Sequence, residues 1–317
     1  MFIEKKKIKG KAYLYLRKSV REGKKVSTKT IAYLGKAPMK KAELAQKIKI
    51  FKGLEDSIIP ADINPQFLTT KQQQELQRIK IEFAQKLKKL DEKLLEDMFR
   101  DFKTHYIYNT NAIEGNTLTL QDTNLLLNEN KTPEGKDLRE IYDHLNERQT
   151  FDFILTTKPE ISLKVIIDIH ASLLKNIDAR IGLRRHNVRV IGAEFTPTPA
   201  EYVLTDINLL LQWYQQHEKT FHPLVLTALF HEKFERIHPF YDGNGRTGRM
   251  LLNLILLRAG YPPLIVKNKD RKEYYAALSA GHKAGLLKID QSHYQPIVSF
   301  CYTKILETFE QIFEKWG

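Results

Sequence analysis

The stretch HPFYDGNGRTGR, from His238 to Arg249, combines residue types that could bind and activate a phosphate-containing substrate. Its DGNG sequence allows a tight turn, and an apolar helical run begins near Arg246. A glycine turn at a helix N-terminus exposes backbone N–H groups and the positive end of the helix dipole, which favour an anion. Arg246 and Arg249 are three residues apart on one helix face, where two guanidinium groups suit a polyphosphate.

Two more side chains of this stretch fit phosphate chemistry. Asp242 adds a carboxylate, and Mg²⁺ is commonly held by a carboxylate together with phosphate oxygens. His238 follows the preceding helical run, and a histidine can act as a general base near neutral pH. A plain helix connector with a structural histidine would also fit the turn, but it requires neither arginines nor an aspartate. The stretch lacks the H-E-x-x-H spacing of a zinc site and the Gly-Lys-Ser/Thr end of a Walker A loop.

The elements that must position this loop are predicted to be mainly helical, because apolar residues recur at spacings of three and four. The predicted helices lie at about residues 70–108, 119–128, 134–156, 162–175, 202–217, 222–237, 246–259, 270–284 and 293–315. Gly115 and Asn116 form a helix stop, and Thr119 can cap the next helix. Residues 182–204 are rich in β-branched residues, glycine and proline, which predicts a short hairpin or flap.

The N-terminal part of the 317-residue chain differs from the rest in charge. Residues 1–52 hold 17 Lys and Arg against 3 Asp and Glu, whereas the remaining chain holds 34 against 35. Residues 12–16 and 30–34 predict a β-hairpin, followed by a short helix at about 40–52 and a boundary near residue 65. This basic module could bind nucleic acid or another polyanion, or it could be a small solvated lysine-rich domain.

The compartment is predicted from what the sequence lacks. No stretch has the length and apolarity of a membrane span or of a signal peptide, which predicts a cytoplasmic protein with no membrane partner. Cys301 is the only cysteine, and its apolar neighbours predict a buried, inert thiol.

The motif residues carry a family resemblance. HPFYDGNGRTGR resembles the Fic motif, H-P-F-x-D/E-G-N-G-R-x-x-R, at every defined position. TNAIEGNTLTL, residues 110–120, is similar to the inhibitory motif S/T-x-x-x-E-G/N that precedes a Fic core. Residues 182–204 resemble the family's flap, and residues 258–278 are similar to the stretch after the motif in the endoplasmic-reticulum Fic enzyme that AMPylates an Hsp70 chaperone. The resemblance covers about residues 95–310 but not residues 1–65.

The resemblance implies a mainly α fold, with a Fic-type helical core and a β-hairpin flap behind a small N-terminal basic β-hairpin module. The implied domains are residues 1–65 and 66–317, the second with an inhibitory helix region at about 95–118. The implied reaction is transfer of AMP from ATP to a Ser, Thr or Tyr hydroxyl of a protein, including self-modification.

The resemblance also implies site roles. His238 would be the general base, and Asp242 would hold Mg²⁺. The residues assigned to the nucleotide are Asp242, Gly243, Asn244, Gly245, Arg246, Thr247, Gly248, Arg249, Tyr274 and Tyr275, with the flap residues Val190, Ile191, Gly192, Ala193 and Glu194. For the two tyrosines, a place in the helix core is the alternative. His282 stands where the chaperone-modifying relative has an asparagine, so its nucleotide contact stays open.

Glu114 is implied to be inhibitory, together with Thr110 of the same motif. It would pair with Arg249 and so occupy the arginine that should receive the γ-phosphate. Alternatively, Glu114 would orient a water that removes AMP from a modified target, or it would only cap a helix end or lie exposed. A nucleic-acid-binding protein with a vestigial Fic core is a third hypothesis, against which the intact motif stands. The target protein, the modified residue and a homodimeric state stay open.

Overall fold

A computed structural model describes residues 2–8, 11–22, 25–41, 44, 67–190 and 195–316. The chain divides into two compact units, residues 1–64 and 65–317. The predicted short helix at about 40–52 falls mostly outside the described residues.

The N-terminal unit contains a three-stranded antiparallel sheet in the order β1-β2-β3, formed by Phe2–Ile8, Lys11–Glu22 and Lys25–Lys36. In its register, Lys6 of β1 lies opposite Tyr13 of β2, and Tyr15 lies opposite Tyr33 of β3. Alternating apolar, aromatic and polar residues favour such strands. The predicted hairpin is confirmed as β2 and β3, and β1 adds a third strand at its edge.

The second unit is helical, as predicted. Its α-helices are α1 (Thr70–Lys89), α2 (Glu92–Ile113), α3 (Leu120–Asn128), α4 (Leu138–Thr157), α5 (Leu163–Leu173), α6 (Val203–His217), α7 (Pro223–Ile237), α8 (Asn244–Arg258), α9 (Arg271–Gly281) and α10 (Gln291–Gln311). The predicted capping role of Thr119 is confirmed, since its side chain accepts a hydrogen bond from the N–H of Asp122.

The single helix predicted from about residue 70 to 108 is wrong, because the structure divides it into α1 and α2. Leu90 leaves the helix with an extended backbone (ψ 138°), and the Asp91 side chain accepts a hydrogen bond from the N–H of Leu94 at 2.9 Å. This cap starts a new helix. The apolar spacing continues across the break and conceals it.

Helices α7 and α8 form the centre of the core. Each has 13 buried residues among its 15, so both are enclosed by other helices rather than lying at the surface. Helix α8 begins at Asn244, two residues before the predicted start. The loop between these two buried helices is therefore fixed by the packing of the whole unit.

The hairpin predicted at residues 182–204 is wrong for the part that the structure describes. Apart from residues 191–194, which lie outside the description, the segment contains no strand. Within the segment, the buried Arg184 side chain donates to the carbonyls of Thr198 and, at 3.1 Å, His186. The same guanidinium group donates to the carbonyl of His238 at 2.8 Å and so ties the segment to the loop after α7.

Within the described ranges, no helix combines the length and apolarity needed to cross a bilayer. Cys301 is buried, and burial raises the pKa of its thiol to about 12, in agreement with an inert side chain.

Candidate active site

The loop between α7 and α8 has a closed, rigid geometry. Helix α7 ends at Ile237, and His238 takes the left-handed conformation with φ 51°. The Asn244 side chain closes the loop, since it accepts from the N–H of Phe240 at 2.9 Å and donates to the carbonyl of Phe240 at 3.0 Å. Gly243, with φ 74°, then precedes the first turn of α8. The loop thus orients His238 and the N-terminus of α8 with little freedom.

A cavity of about 610 Å³ opens beside this loop. It is lined by Glu114, Val190, Phe195, Glu235, His238, Gly245, Arg249, Lys269, Arg271, Lys272, Tyr274, Tyr275, Leu278, Ser279 and His282. The lining combines aromatic and apolar surface with several cations, and its volume is typical of small-molecule sites.

His238 is set up to accept a proton. Burial lowers its pKa to about 4, and the neighbouring Arg184 guanidinium acts in the same direction. The imidazole is therefore neutral at pH 7, and a neutral imidazole has an acceptor nitrogen.

Arg249, which also lines the cavity, is already bound. Its Nη2 donates to Oε1 of Glu114 at 2.6 Å and to the Thr110 carbonyl at 3.0 Å, and its Nε donates to the Thr110 hydroxyl at 2.8 Å. Glu114 caps the end of α2, where Gly115 reverses the chain with φ 98°. Three hydrogen bonds from one short segment thus hold the guanidinium group.

Gly245 makes this ion pair sterically feasible. A Cβ at residue 245 would lie 2.3 Å from Oε1 of Glu114 and 3.0 Å from Nη1 of Arg249. Any larger residue would force the carboxylate or the guanidinium to move.

Arg246 is not among the residues that line the cavity. Its Nη1 donates to the Asp143 carboxylate of α4, and its Nη2 lies 3.7 Å from Asp242. The second oxygen of Asp242 lies 2.5 Å from Nη2 of Arg139, also on α4. The carboxylate and the first arginine of the loop are therefore both paired with α4.

Comparison with known proteins identifies the loop and its flanking helices. Residues 160–256 match the sequence model of the Fic/DOC family. The chain carries a Fic domain. The N-terminal unit matches a different model, the N-terminal domain of IS1634 family transposases, over residues 3–55.

Relatives and solved structures agree with this Fic domain. The protein adenylyltransferase fic-1 of Caenorhabditis elegans is 36% identical over 198 residues, which are 61% of this chain and 39% of that relative. The chain thus spans well under half of that relative's length. The structure of Fic-1 (aa134–508) from C. elegans aligns with a TM-score of 0.63 and 26% identity, over 88% of this chain and 79% of that one. A Fic domain containing signaling protein from Bacteroides thetaiotaomicron shares the fold, with a TM-score of 0.69, 24% identity and coverage of 75% and 96%.

The Fic motif residues take three kinds of position in this structure. His238, Gly245 and Arg249 line the cavity. Asn244 uses its side chain to close the loop, so only its backbone is available to an anion. Three members of the motif are enclosed in α8, namely Arg246, Thr247 and Gly248.

The two predicted tyrosines differ. Tyr274 is buried, and its hydroxyl lies 2.6 Å from Nε2 of His231, so it belongs largely to the core. Tyr275 is 39% exposed, and both tyrosines line the cavity. His282 also lines the cavity, 4.0 Å from the Phe195 ring between centroids. Of the predicted flap residues, Val190 lines the cavity, and Ile191, Gly192, Ala193 and Glu194 lie outside the described residues.

Sequence reasoning missed several charged groups near the site. Asp143 binds Arg246, Arg139 binds Asp242, and two buried carboxyl groups, Glu147 and Glu235, have pKa values raised to about 8 by burial. The available signal was the polar residues of the 134–156 pattern at spacings of four, such as Arg139 with Asp143, on one face of a helix.

Proposed function

We propose that this protein transfers AMP from ATP to a hydroxyl group of a protein. The observation that carries this proposal is the cavity in which neutral His238, Arg249 and the N-terminus of α8 converge. The printed name of the C. elegans relative, protein adenylyltransferase, supports the same reaction.

The chain's own residues supply the parts of an in-line displacement. His238 accepts the proton of the target hydroxyl, and the oxygen forms a bond to the α-phosphorus of ATP while the bond to pyrophosphate breaks. The backbone N–H groups at the start of α8 bind the phosphate oxygens, and Arg249, once released, neutralises their charge. Tyr275 provides an aromatic surface for the nucleoside.

Asp242 is the proposed ligand for Mg²⁺. Its carboxylate is 34% exposed, beside the N–H groups of the loop, and it accepts from the N–H of Gly243 at 2.6 Å. Among the described residues no cluster of three or more metal-ligating side chains occurs. One carboxylate next to a phosphate site fits Mg²⁺, which keeps several waters and is held mainly by nucleotide oxygens. The ion would neutralise the phosphates during transfer.

Autoinhibition is part of the proposal. Glu114 occupies the Arg249 guanidinium at 2.6 Å, so this group is unavailable to the γ-phosphate. ATP that binds beside the intact pair lacks one of its phosphate contacts and adopts a pose poorly aligned for attack.

The test of AMP transfer uses the Glu114→Gly variant with ATP labelled at either the α- or the γ-phosphate, alone and with cell lysate. We expect α-label in protein bands that lysate alone does not show, the variant itself included, and no γ-label on the purified variant. γ-Label without α-label on the purified variant would indicate phosphorylation and contradict the proposal.

The matched control is the same variant with His238→Ala added. Loss of a general base typically costs 10²–10⁴-fold in rate, so α-labelling should disappear on the same timescale. Since His238 lies in a loop held by Asn244 and Arg184, circular dichroism and melting of the double variant check that its fold persists. Undiminished labelling would rule out His238 as the base.

Removal of AMP is a second candidate reaction, favoured by the position of Glu114. Its side chain is 37% exposed and faces the same cavity as His238, so the second carboxylate oxygen could orient a water. Incubation of an AMP-modified target with wild-type protein and with Glu114→Gln separates the two reactions. If the wild-type protein releases AMP and Glu114→Gln does not, the result supports this reaction. If the modified target is equally stable with either protein, the result excludes it.

A nucleic-acid-binding role is proposed for the N-terminal unit. Lys5, Lys6 and Lys7 are exposed on strand β1, and Glu4 is neutralised by Arg17. A row of exposed lysines attracts phosphate backbones. The match of residues 3–55 to a transposase domain favours DNA as the partner.

Retention on DNA across a salt series tests this role with the full chain. We expect Lys5, Lys6 and Lys7 replaced together by Gln to weaken retention and to reduce the salt dependence by about three counterions. The matched control replaces Lys131, Lys175 and Lys219, which are exposed on the helical unit. Equal losses in both triple variants would contradict a site on the N-terminal sheet.

A further inference from the structure

The first two turns of α4 face the Fic loop with two opposite charges. Arg139 and Asp143 are four residues apart and so share one helix face. Arg139 binds Asp242 at 2.5 Å, and Asp143 binds Arg246. Asp242, which the proposed function gives to the metal, and Arg246 of the same motif therefore each have a counter-charge on one helix.

Both carboxylate oxygens of Asp242 already have partners, although its side chain is 34% exposed. Oδ1 accepts from the N–H of Gly243 at 2.6 Å and lies 3.7 Å from Nη2 of Arg246. Oδ2 is bound by Arg139. A metal that approaches Asp242 must displace or share one of these partners, and Arg139 is the most accessible, with 59% of its side chain exposed. An exposed ion pair of this kind is weak, so it can open.

We propose that Arg139 is a positioning residue that occupies Asp242 in the resting protein and moves aside when the metal–nucleotide complex binds. This inference rests on the proposed function, in which Asp242 holds Mg²⁺. The guanidinium group neutralises the carboxylate until the metal takes over that role, and it lowers metal affinity by the cost of its displacement.

The same helix also holds the chain that follows the inhibitory residue. The N–H of Thr117 donates to Oε1 of Glu140 at 2.6 Å, and the Asn116 side chain donates to the Glu140 carbonyl at 3.2 Å. Arg139, which binds Asp242, and Glu140, which binds the chain just after Glu114, are thus neighbours at the start of α4. Removal of Glu114 alone leaves the Arg139 contact in place.

The test compares binding of ATP alone with binding of Mn²⁺-ATP, by titration calorimetry. The background is full-length protein with Glu114→Gly and His238→Ala, in which no turnover occurs. The dissociation constant of ATP alone divided by that of Mn²⁺-ATP measures the metal's contribution to binding. We expect Arg139→Gln to raise this ratio about fivefold, which is the upper range for an exposed ion pair.

Arg180→Gln is the matched control. Arg180 is another exposed cation near Asp242, but it is paired with Asp178 at 2.6 Å and lies over the Tyr241 ring at 5.2 Å. Its removal lowers the local positive charge without vacating an Asp242 oxygen, so the ratio should change less than twofold.

Three results would overturn the inference. An unchanged ratio in Arg139→Gln excludes occupancy of Asp242, and an equal rise in Arg180→Gln assigns the effect to general charge. Weaker binding of ATP alone in Arg139→Gln makes this arginine a phosphate ligand instead. If neither ATP nor Mn²⁺-ATP binds to any variant, the proposed function fails, and that outcome is distinct because it does not depend on Arg139.

Discussion

Arg246 and Arg249 lie three residues apart on one helix, and each is bound by a carboxylate, yet the two ion pairs differ in burial. The side chains of Arg246 and Asp143 are 4% and 12% exposed, whereas those of Arg249 and Glu114 are 3% and 37% exposed. Asp143 lies within α4, and Glu114 lies at the end of α2. A carboxylate at a helix end and in contact with water leaves at lower cost than an enclosed one. We infer that the first pair is structural and that the second can open.

The largest expected effect comes from breaking the enclosed pair. Asp143→Ala removes the close partner of the buried Arg246 and leaves Asp242, 3.7 Å from its Nη2, and removal of one partner of a buried pair typically costs about 3–5 kcal/mol in the free energy of unfolding. Urea unfolding measures this loss. Asp152→Ala on the same helix is the control, because the Asp152 side chain is 47% exposed, and its pair with Lys103 should contribute under about 1 kcal/mol. Equal losses would remove the distinction between the two kinds of pair.

A smaller effect is expected from Gly245→Ala, which inserts a methyl group between Glu114 and Arg249. Overpacking of this kind costs about 1–3 kcal/mol. Since the added Cβ meets Glu114 at 2.3 Å, most of that cost should vanish in the Glu114→Gly background. Gly248→Ala is the contrast, because its Cβ meets Glu235 and should cost the same in both backgrounds. A double-mutant cycle without coupling at residue 245 would contradict this geometry.

The smallest expected effect is on the titration of His238. Its pKa is lowered to about 4, mainly by burial, while the negative charge of Glu114 acts in the opposite direction. Glu114→Gln removes that charge and should lower the pKa further, whereas Asp143→Asn should leave it nearly unchanged. NMR titration of the imidazoles checks this, with His238 assigned from its absence in His238→Gln. A midpoint near 6.5 would contradict the buried, neutral base.

The sequence predicted the helical architecture and the loop because both depend on local pattern. Apolar spacing located the helices, and the glycines of the loop required a turn before α8. The break at Leu90 was missed, since the apolar spacing runs on through Leu94, although Asp91 offered a cap signal.

The partners of the site could not be predicted in the same way. The pairs that Arg246 makes with Asp143 and Asp242 makes with Arg139 each join residues 103 positions apart. Such pairs are set by how α4 packs against the loop, which no local spacing records. The pair of Glu114 with Arg249 is present as the family resemblance implied, because that resemblance carries information across 135 positions.

The most direct measurement is the initial rate of AMP transfer from α-labelled ATP by the wild-type protein and by the Glu114→Gly variant. Glu129→Gly is the control, because Glu129 is exposed and does not line the cavity. A charge-assisted hydrogen bond contributes about 1.5–3 kcal/mol, so its removal should raise the rate about 10- to 100-fold if Glu114 withholds Arg249 from the phosphates. Glu129→Gly should match the wild type. Equal rates for the wild type and Glu114→Gly, with ATP bound by both, would contradict autoinhibition through Arg249.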